Sequence, residues 1–168
     1  MNATLREPAE ILIVDEDALA TASALTALEA AGHIAYHATD RLSALRIARA
    51  KALDLLICDV NVAGDNGLEL TCELRRLPGM QDVPVMFISR TQLPDIVRRS
   101  HEAGAAYYLR KPLDPEVLID LVGKALWLPH LVQTRLAMHQ PAPQPVPAPR
   151  QRQTTRSAAV QGIRLPLA

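Results

Sequence analysis

Aromatic residues are scarce in this chain: one Phe, one Trp and three Tyr among 168 residues. Nearly half of the residues are nonetheless apolar, so any core must be built from Leu, Ile, Val and Ala. Cysteine is also rare. Cys58 and Cys72 fall in an expected strand and an expected helix without metal-ligand spacing, and read as small buried or half-buried hydrophobes in a reducing compartment. No apolar run is long enough to span a bilayer, and Met1–Pro8 lacks the apolar segment of a secretory signal, so the expected location is cytoplasmic, away from membranes. Acidic residues vanish after Asp120. Residues 1–126 carry 13 Lys/Arg against 18 Asp/Glu, a net of −5, whereas residues 127–168 carry five Arg and no acid. An acidic domain argues against nucleic-acid binding by the domain itself. The tail arginines, Arg150, Arg152, Arg156 and Arg164, lack the interleaved aromatics of a single-strand site.

What is present is an alternation of strand and helix patterns, repeated five times. Strands are expected at Ile11–Val14, His33–His37, Leu55–Cys58, Val83–Ile88 and Tyr107–Leu109. Helices are expected from about Asp17 to Ala31, from Asp40 to Lys51, after the turn signal Asp65-Asn66-Gly67, from Asp95 to Ala103, and from Pro115 to Leu126. Gly32 closes the first helix as a C′ residue, and Pro115 opens the last at a favoured first position. Leu42, Leu45, Ile47 and Ala48 give the second helix its apolar stripe; Leu68, Leu70, Cys72 and Leu74 do so for the third, ahead of the breakers Pro78-Gly79. This alternation predicts an α/β fold: a doubly wound five-stranded parallel sheet with right-handed crossovers and helices on both faces.

The expected organisation is an N-terminal extension at 1–8, one domain at 9–126, a short helix within 127–140, a linker at 141–149 and a basic tail at 150–168. Trp127-Leu128-Pro129-His130 reads as a helix interruption before Leu131–His139. The alternating prolines from Pro141 to Pro149 read as a semi-rigid polyproline-II linker, and the tail as disordered.

Polar side chains stand at the ends of four apolar runs. Asp15-Glu16 follow Glu10–Val14, Asp59 ends Asp54–Asp59, Ser89 follows Val83–Ile88, and Lys111-Pro112 follow Ala106–Arg110. The carboxyl ends of strands in an open parallel sheet are where ligand sites assemble. A carboxylate can serve as the nucleophile toward a phosphoryl group, and the remaining work of such a reaction is positioning and charge neutralisation. Clustered carboxylates repel one another and invite a hard divalent cation such as Mg²⁺, and a lysine adds a compact positive charge for phosphoryl oxygens. Taken singly, each residue has a plainer role. Asp15 can cap a helix, although Asp17 is the better cap; Ser89 can be a turn residue; Lys111 can be solvated in an extended X-Pro segment; Tyr108 can be a half-buried strand aromatic.

Together, over residues 9–126, these features resemble the receiver domain of two-component response regulators, of a stand-alone type with a short tail. The resemblance implies a flavodoxin-like sheet of strand order 2-1-3-4-5, with the site at the switch point between strands one and three. It implies Asp59 as phosphoacceptor. Glu16, Asp59 and the Asn61 backbone carbonyl would ligate Mg²⁺, and Asp15 would hold a metal-bound water. Lys111, before a cis Pro112, would contact the phosphoryl oxygens; Ser89 would turn toward them after phosphorylation, and Tyr108 would follow inward as an aromatic switch. Such a domain catalyses only its own phosphorylation and dephosphorylation, on Asp59 with Lys111. Its implied partners are a histidine kinase or histidine phosphotransfer protein, a downstream protein effector, and a second copy through helix four, strand five and helix five. The tail is too short for a DNA-binding output domain.

Three positions depart from the usual receiver pattern. Glu16 replaces the commoner Asp, Ala63 stands where proline is frequent and predicts a looser loop, and Arg90 follows Ser89 where a small residue is usual. Arg90 is expected to swing to solvent or to shield the phosphoryl group. Rival chemistries miss their key residues. A haloacid-dehalogenase-like phosphatase needs an Asp, and a cobalamin-binding domain a His, where Asn61 stands, and a nucleotide site needs a glycine-rich loop in place of Asp15-Glu16-Asp17-Ala18. The alternative that stays open is a pseudo-receiver, an interaction or dimerisation module independent of phosphorylation.

Overall fold

The computed structural model describes residues 8–90 and 95–139. Residues 1–7 of the extension, the proline-rich linker at 141–149 and the basic tail at 150–168 lie outside the described residues. Five strands form one parallel sheet: β1 (Glu10–Val14), β2 (Ile34–Ala38), β3 (Leu55–Asp59), β6 (Val85–Ser89) and β7 (Tyr107–Arg110). Between β3 and the next helix lies a two-stranded antiparallel hairpin, β4 (Asn61–Val62) and β5 (Asp65–Asn66). The sheet order is β2-β1-β3-β6-β7, which is the expected 2-1-3-4-5 once the hairpin is set aside. The helices are α1 (Ala18–Ala30), α2 (Arg41–Ala50), α3 (Gly67–Leu74), α4 (Ile96–Glu102) and α5 (Pro115–His139).

Side-chain alternation along the strands divides the core into two layers. Ile11, Ile13, Leu55, Ile57, Met86 and Ile88 face Ala24 and Leu28 of α1 and Leu118, Val122 and Ala125 of α5. Leu12, Val14, Leu56, Cys58, Val85 and Phe87 face Ala44, Leu45 and Ala48 of α2, Leu70 and Leu74 of α3, and Ile96 of α4. Central strands covered on both faces must be apolar throughout, which is why β3 and β6 are buried at every position. Each Leu, Ile or Val withdrawn from water contributes about 1.5–3 kcal/mol, so these strand interiors hold the carboxyl edge rigidly. The core is aliphatic, as the scarcity of aromatics required; Phe87 is its one fully buried aromatic among the described residues.

The ends of the elements follow local chemistry. Asp17 caps α1, its carboxylate accepting from Leu19 N and Ala20 N; Asp40 and Ser43 form a capping box on α2; Asn66 caps α3 through Leu68 N. Gly32, at φ 88°, closes α1 in the left-handed region.

Several expectations need correction. The second strand lies one residue later than read, at Ile34–Ala38. Leu42 is exposed, because Ala44, Leu45 and Ala48 set the buried arc of α2 and Leu42 falls roughly a third of a turn from its centre. Cys72 is exposed for the same reason, since Gly67, Thr71 and Leu74 define the buried arc of α3. The interruption expected at Trp127–His130 does not occur. α5 continues through Pro129 to His139, with no separate short helix. A proline removes one hydrogen bond and crowds the preceding turn, yet a helix can absorb that where helix-forming residues flank it on both sides. Finally, the loop after β3 is closed by a two-residue turn, Ala63-Gly64, with φ of 50° and 86°. Two positive φ values match the twist of a tight hairpin, and a proline, fixed near −65°, cannot take the Ala63 conformation.

Candidate phosphoacceptor site

The carboxyl edge of the sheet gathers residues from three strands. Asp15 directly follows β1, Asp59 ends β3, and Lys111 directly follows β7. All three are buried. The Lys111 ammonium lies 2.5 Å from Asp59 Oδ2 and 2.6 Å from Asp15 Oδ2, bridging two carboxylates that would otherwise repel each other. Asp59 Oδ1 accepts from Asn61 N at 3.0 Å, and Asp15 Oδ1 accepts from Asp17 N at 2.9 Å. Asp15 Oδ2 is buried and accepts no hydrogen bond, so its contact with Lys111 is charge against charge without donor alignment. The Lys111–Pro112 peptide bond is cis.

Ser89 ends β6 and is buried; its carbonyl accepts from Lys111 N at 2.9 Å, tying the serine and lysine segments together. Tyr108 lies across from Phe87 in the β6–β7 register and packs, half-buried, against the same apolar layer. Asn61 is exposed and pairs with Asn66 across the hairpin. Glu16 is exposed, apart from the buried pair. Among the described residues no three of His, Cys, Asp and Glu are gathered as a metal cluster. The cationic place between Asp15 and Asp59 is taken by Lys111 itself. The pair still fits a hard divalent cation, since Asp15 Oδ2 is a buried oxygen lacking a hydrogen-bond donor and Mg²⁺ needs only one or two carboxylates beside its waters.

Arg90 does not simply swing to solvent: largely exposed, it is ion-paired with Asp17. Three neighbours take part in the site: His37, to which the sequence assigns no role, Gly67, expected only as a turn residue, and Cys58, buried as expected. His37 places Nε2 2.9 Å from the Asp15 carbonyl and steadies that loop. Gly67 lies against Asp59: a Cβ there would sit 1.8 Å from the Asp59 carbonyl oxygen, while its own N–H donates to Val60 O at 2.8 Å. The spacing of a glycine eight residues past the acid was its signal. Cys58, beside Asp59, has its thiol pushed up to about 12 by burial, against a Thr71 hydrogen bond and with the charges of Asp59 and Asp15 adding to the rise. It is an inert packing residue.

The sequence matches the response regulator receiver domain family over residues 11–123, and the chain belongs to that family, a class of two-component signal transduction. The sensor histidine kinase AruS of Pseudomonas aeruginosa is 35% identical over 117 residues, 68% of this chain and 12% of the kinase. The chain spans about half or less of the curated relatives it matches. Among solved structures, the chemotaxis protein CheY4 of Vibrio cholerae is 25% identical with a TM-score of 0.66, covering 70% of this chain and 98% of that one. A response regulator of Thermotoga maritima is 27% identical with a TM-score of 0.65, covering 71% and 98%. Among the described residues no helix is long and apolar enough to cross a membrane.

Proposed function

We propose that residues 9–126 form a phosphoacceptor that relays a signal in the cytoplasm. In this reading an Asp59 carboxylate oxygen attacks the phosphorus of a phosphohistidine on a histidine kinase or histidine phosphotransfer protein. The new O–P bond forms as the P–N bond breaks, and the imidazole leaves with the electron pair. The observation that carries the reading is the Lys111 ammonium shared by the buried Asp59 and Asp15 carboxylates at the carboxyl edge of the sheet. That charge is placed to meet the phosphoryl oxygens once Asp59 is esterified.

Mg²⁺ bound here would neutralise charge on the transferring group. Asp15, Asp59 and the Asn61 carbonyl would hold it, with Glu16 joining from the surface. Ser89 and Tyr108 would carry the response to the surface of α4, β7 and α5, for an effector protein or a second copy of the chain. Incubation with acetyl phosphate and Mg²⁺ is expected to label the wild type and not Asp59→Asn. Equal labelling of the variant would move the acceptor elsewhere, and no labelling of the wild type would leave the chain as a binding module.

A further inference from the structure

Arg90 is the first residue after β6, and the β3–β6 register sets Ile88 beside Asp59, so the Arg90 backbone lies two residues beyond the acceptor on the neighbouring strand. Its guanidinium pairs with Asp17. Asp17 divides its oxygens: Oδ1 caps α1 through Leu19 N at 3.1 Å and Ala20 N at 3.2 Å, while Oδ2 takes the arginine. Arg90 and Asp17 line one open groove of about 460 Å³ with Leu19, Ser23, Lys111 and Pro112, and Lys111 carries its ammonium from that groove to Asp59.

Resting on Asp59 as phosphoacceptor, we propose that Arg90 is an anion-binding residue for the incoming phosphodonor and that Asp17 is its built-in competitor. Asp15, Glu16, Asp17 and Asp59 place four carboxylates at this edge against Lys111 and Arg90, so even beside a bound Mg²⁺ the guanidinium adds to the attraction felt by an approaching phosphoryl dianion. A guanidinium binds phosphate oxygens in a two-point fork, whereas an exposed pair with a carboxylate holds weakly. Exchange of Asp17 for phosphoryl oxygens therefore sets the affinity for the donor and not the chemical step.

The charge on Asp17 separates from its capping role in Asp17→Asn, which keeps Oδ1. In the full chain with Mg²⁺, Asp17→Asn is expected to lower the half-saturating acetyl phosphate concentration about three- to five-fold, and Arg90→Ala to raise it about as much, the scale of one exposed charge contact. The maximal labelling rate stays unchanged, and the double variant behaves as Arg90→Ala. Shifts in the same direction for both variants, or in neither, overturn the proposal. A second readout does not need phosphoryl transfer. In Asp59→Asn, inorganic phosphate is expected to shift the Arg90 Nε–Hε resonance, more strongly with Asp17→Asn added. A wild type that fails to label refutes the acceptor reading, while a silent Arg90 resonance refutes the anion-binding role by itself.

Discussion

The Lys111 ammonium lies 2.5 Å from Asp59 Oδ2 in a contact almost closed to water, and the two residues come from opposite halves of the domain. Removing the ammonium would leave Asp59 and Asp15 as buried like charges. Lys111→Met is therefore expected to lower the unfolding free energy by about 3–5 kcal/mol in metal-free buffer. Millimolar Mg²⁺ should restore part of the loss, because a ligand of the native state stabilises it. Denaturant titrations with EDTA and with Mg²⁺ measure both effects; an unchanged midpoint in EDTA would show that Lys111 balances no charge.

The acidic pair should divide unequally in metal binding. Asp15 is buried and Glu16 exposed, so Asp15→Asn is expected to weaken Mg²⁺ about tenfold, and Glu16→Gln only about twofold, by the weaker coupling of a solvated charge. Titration followed by amide NMR gives both constants. A loss for Glu16→Gln equal to that for Asp15→Asn would mean that the exposed Glu16 holds the ion as strongly as the buried Asp15.

Gly67 and Gly64 provide a matched contrast. A Cβ at Gly67 meets the Asp59 carbonyl oxygen at 1.8 Å, whereas one at Gly64 meets nothing within 4 Å and suffers only from φ 86°. Gly67→Ala should cost about 1–3 kcal/mol and slow acetyl phosphate labelling by displacing the Asp59 main chain. Gly64→Ala should cost about 1 kcal/mol and leave the labelling rate unchanged. Comparable rate losses in both would point to the hairpin as a whole and not to contact with Asp59.

The strands and their polar ends were legible because a buried parallel strand is apolar along its run and its end is marked by the first polar residue. β3 and β6 show this plainly, with Asp59 and Ser89 closing unbroken apolar runs. The meeting of Lys111 with Asp59, 52 residues apart, was reachable only through resemblance, because nothing local in either segment specifies the other. The Arg90–Asp17 pair spans 73 residues, and nothing local in either segment specifies the other, so only the fold exposes it. Pro129 is the opposite case: a strong local breaker sits inside a helix that continues on both sides of it. Leu42 and Cys72 lie on apolar stripes that helical spacing suggests, but the buried arcs of α2 and α3 exclude them.

Burial of Cys58 predicts a pH dependence at the alkaline end. Its thiol is raised from an ordinary 9.0 to about 12, so the folded state holds that proton more tightly than the unfolded chain. Stability is fully present below pH 9.0 and falls as pH rises toward about 12, because the unfolded state loses the proton first. Cys58→Ala should flatten that part of the curve while lowering stability at neutral pH through lost packing. Unfolding free energies measured between pH 8 and 11 on both proteins test this; parallel curves would assign the alkaline loss to other groups.

Phosphorylation of Asp59 would add negative charge and acceptor oxygens near Ser89, whose carbonyl already holds the Lys111 N–H at 2.9 Å. Tyr108 stands beside Phe87 on the next strand, half-buried against the layer that also packs Ile96 of α4. A shift of Ser89 toward the phosphoryl group would open room that the Tyr108 ring can fill, and α4 would feel the change through shared packing. Such a switch requires that phosphate stabilise one arrangement more than the other. Beryllofluoride with Mg²⁺ should therefore move amide resonances of Ser89, Tyr108 and α4 in the wild type. In Ser89→Ala the pocket resonances near Asp59 should still move, while those of Tyr108 and α4 should lose most of their response. If α4 responds equally in both proteins, the signal reaches it by another route, and the serine only contacts the phosphoryl group.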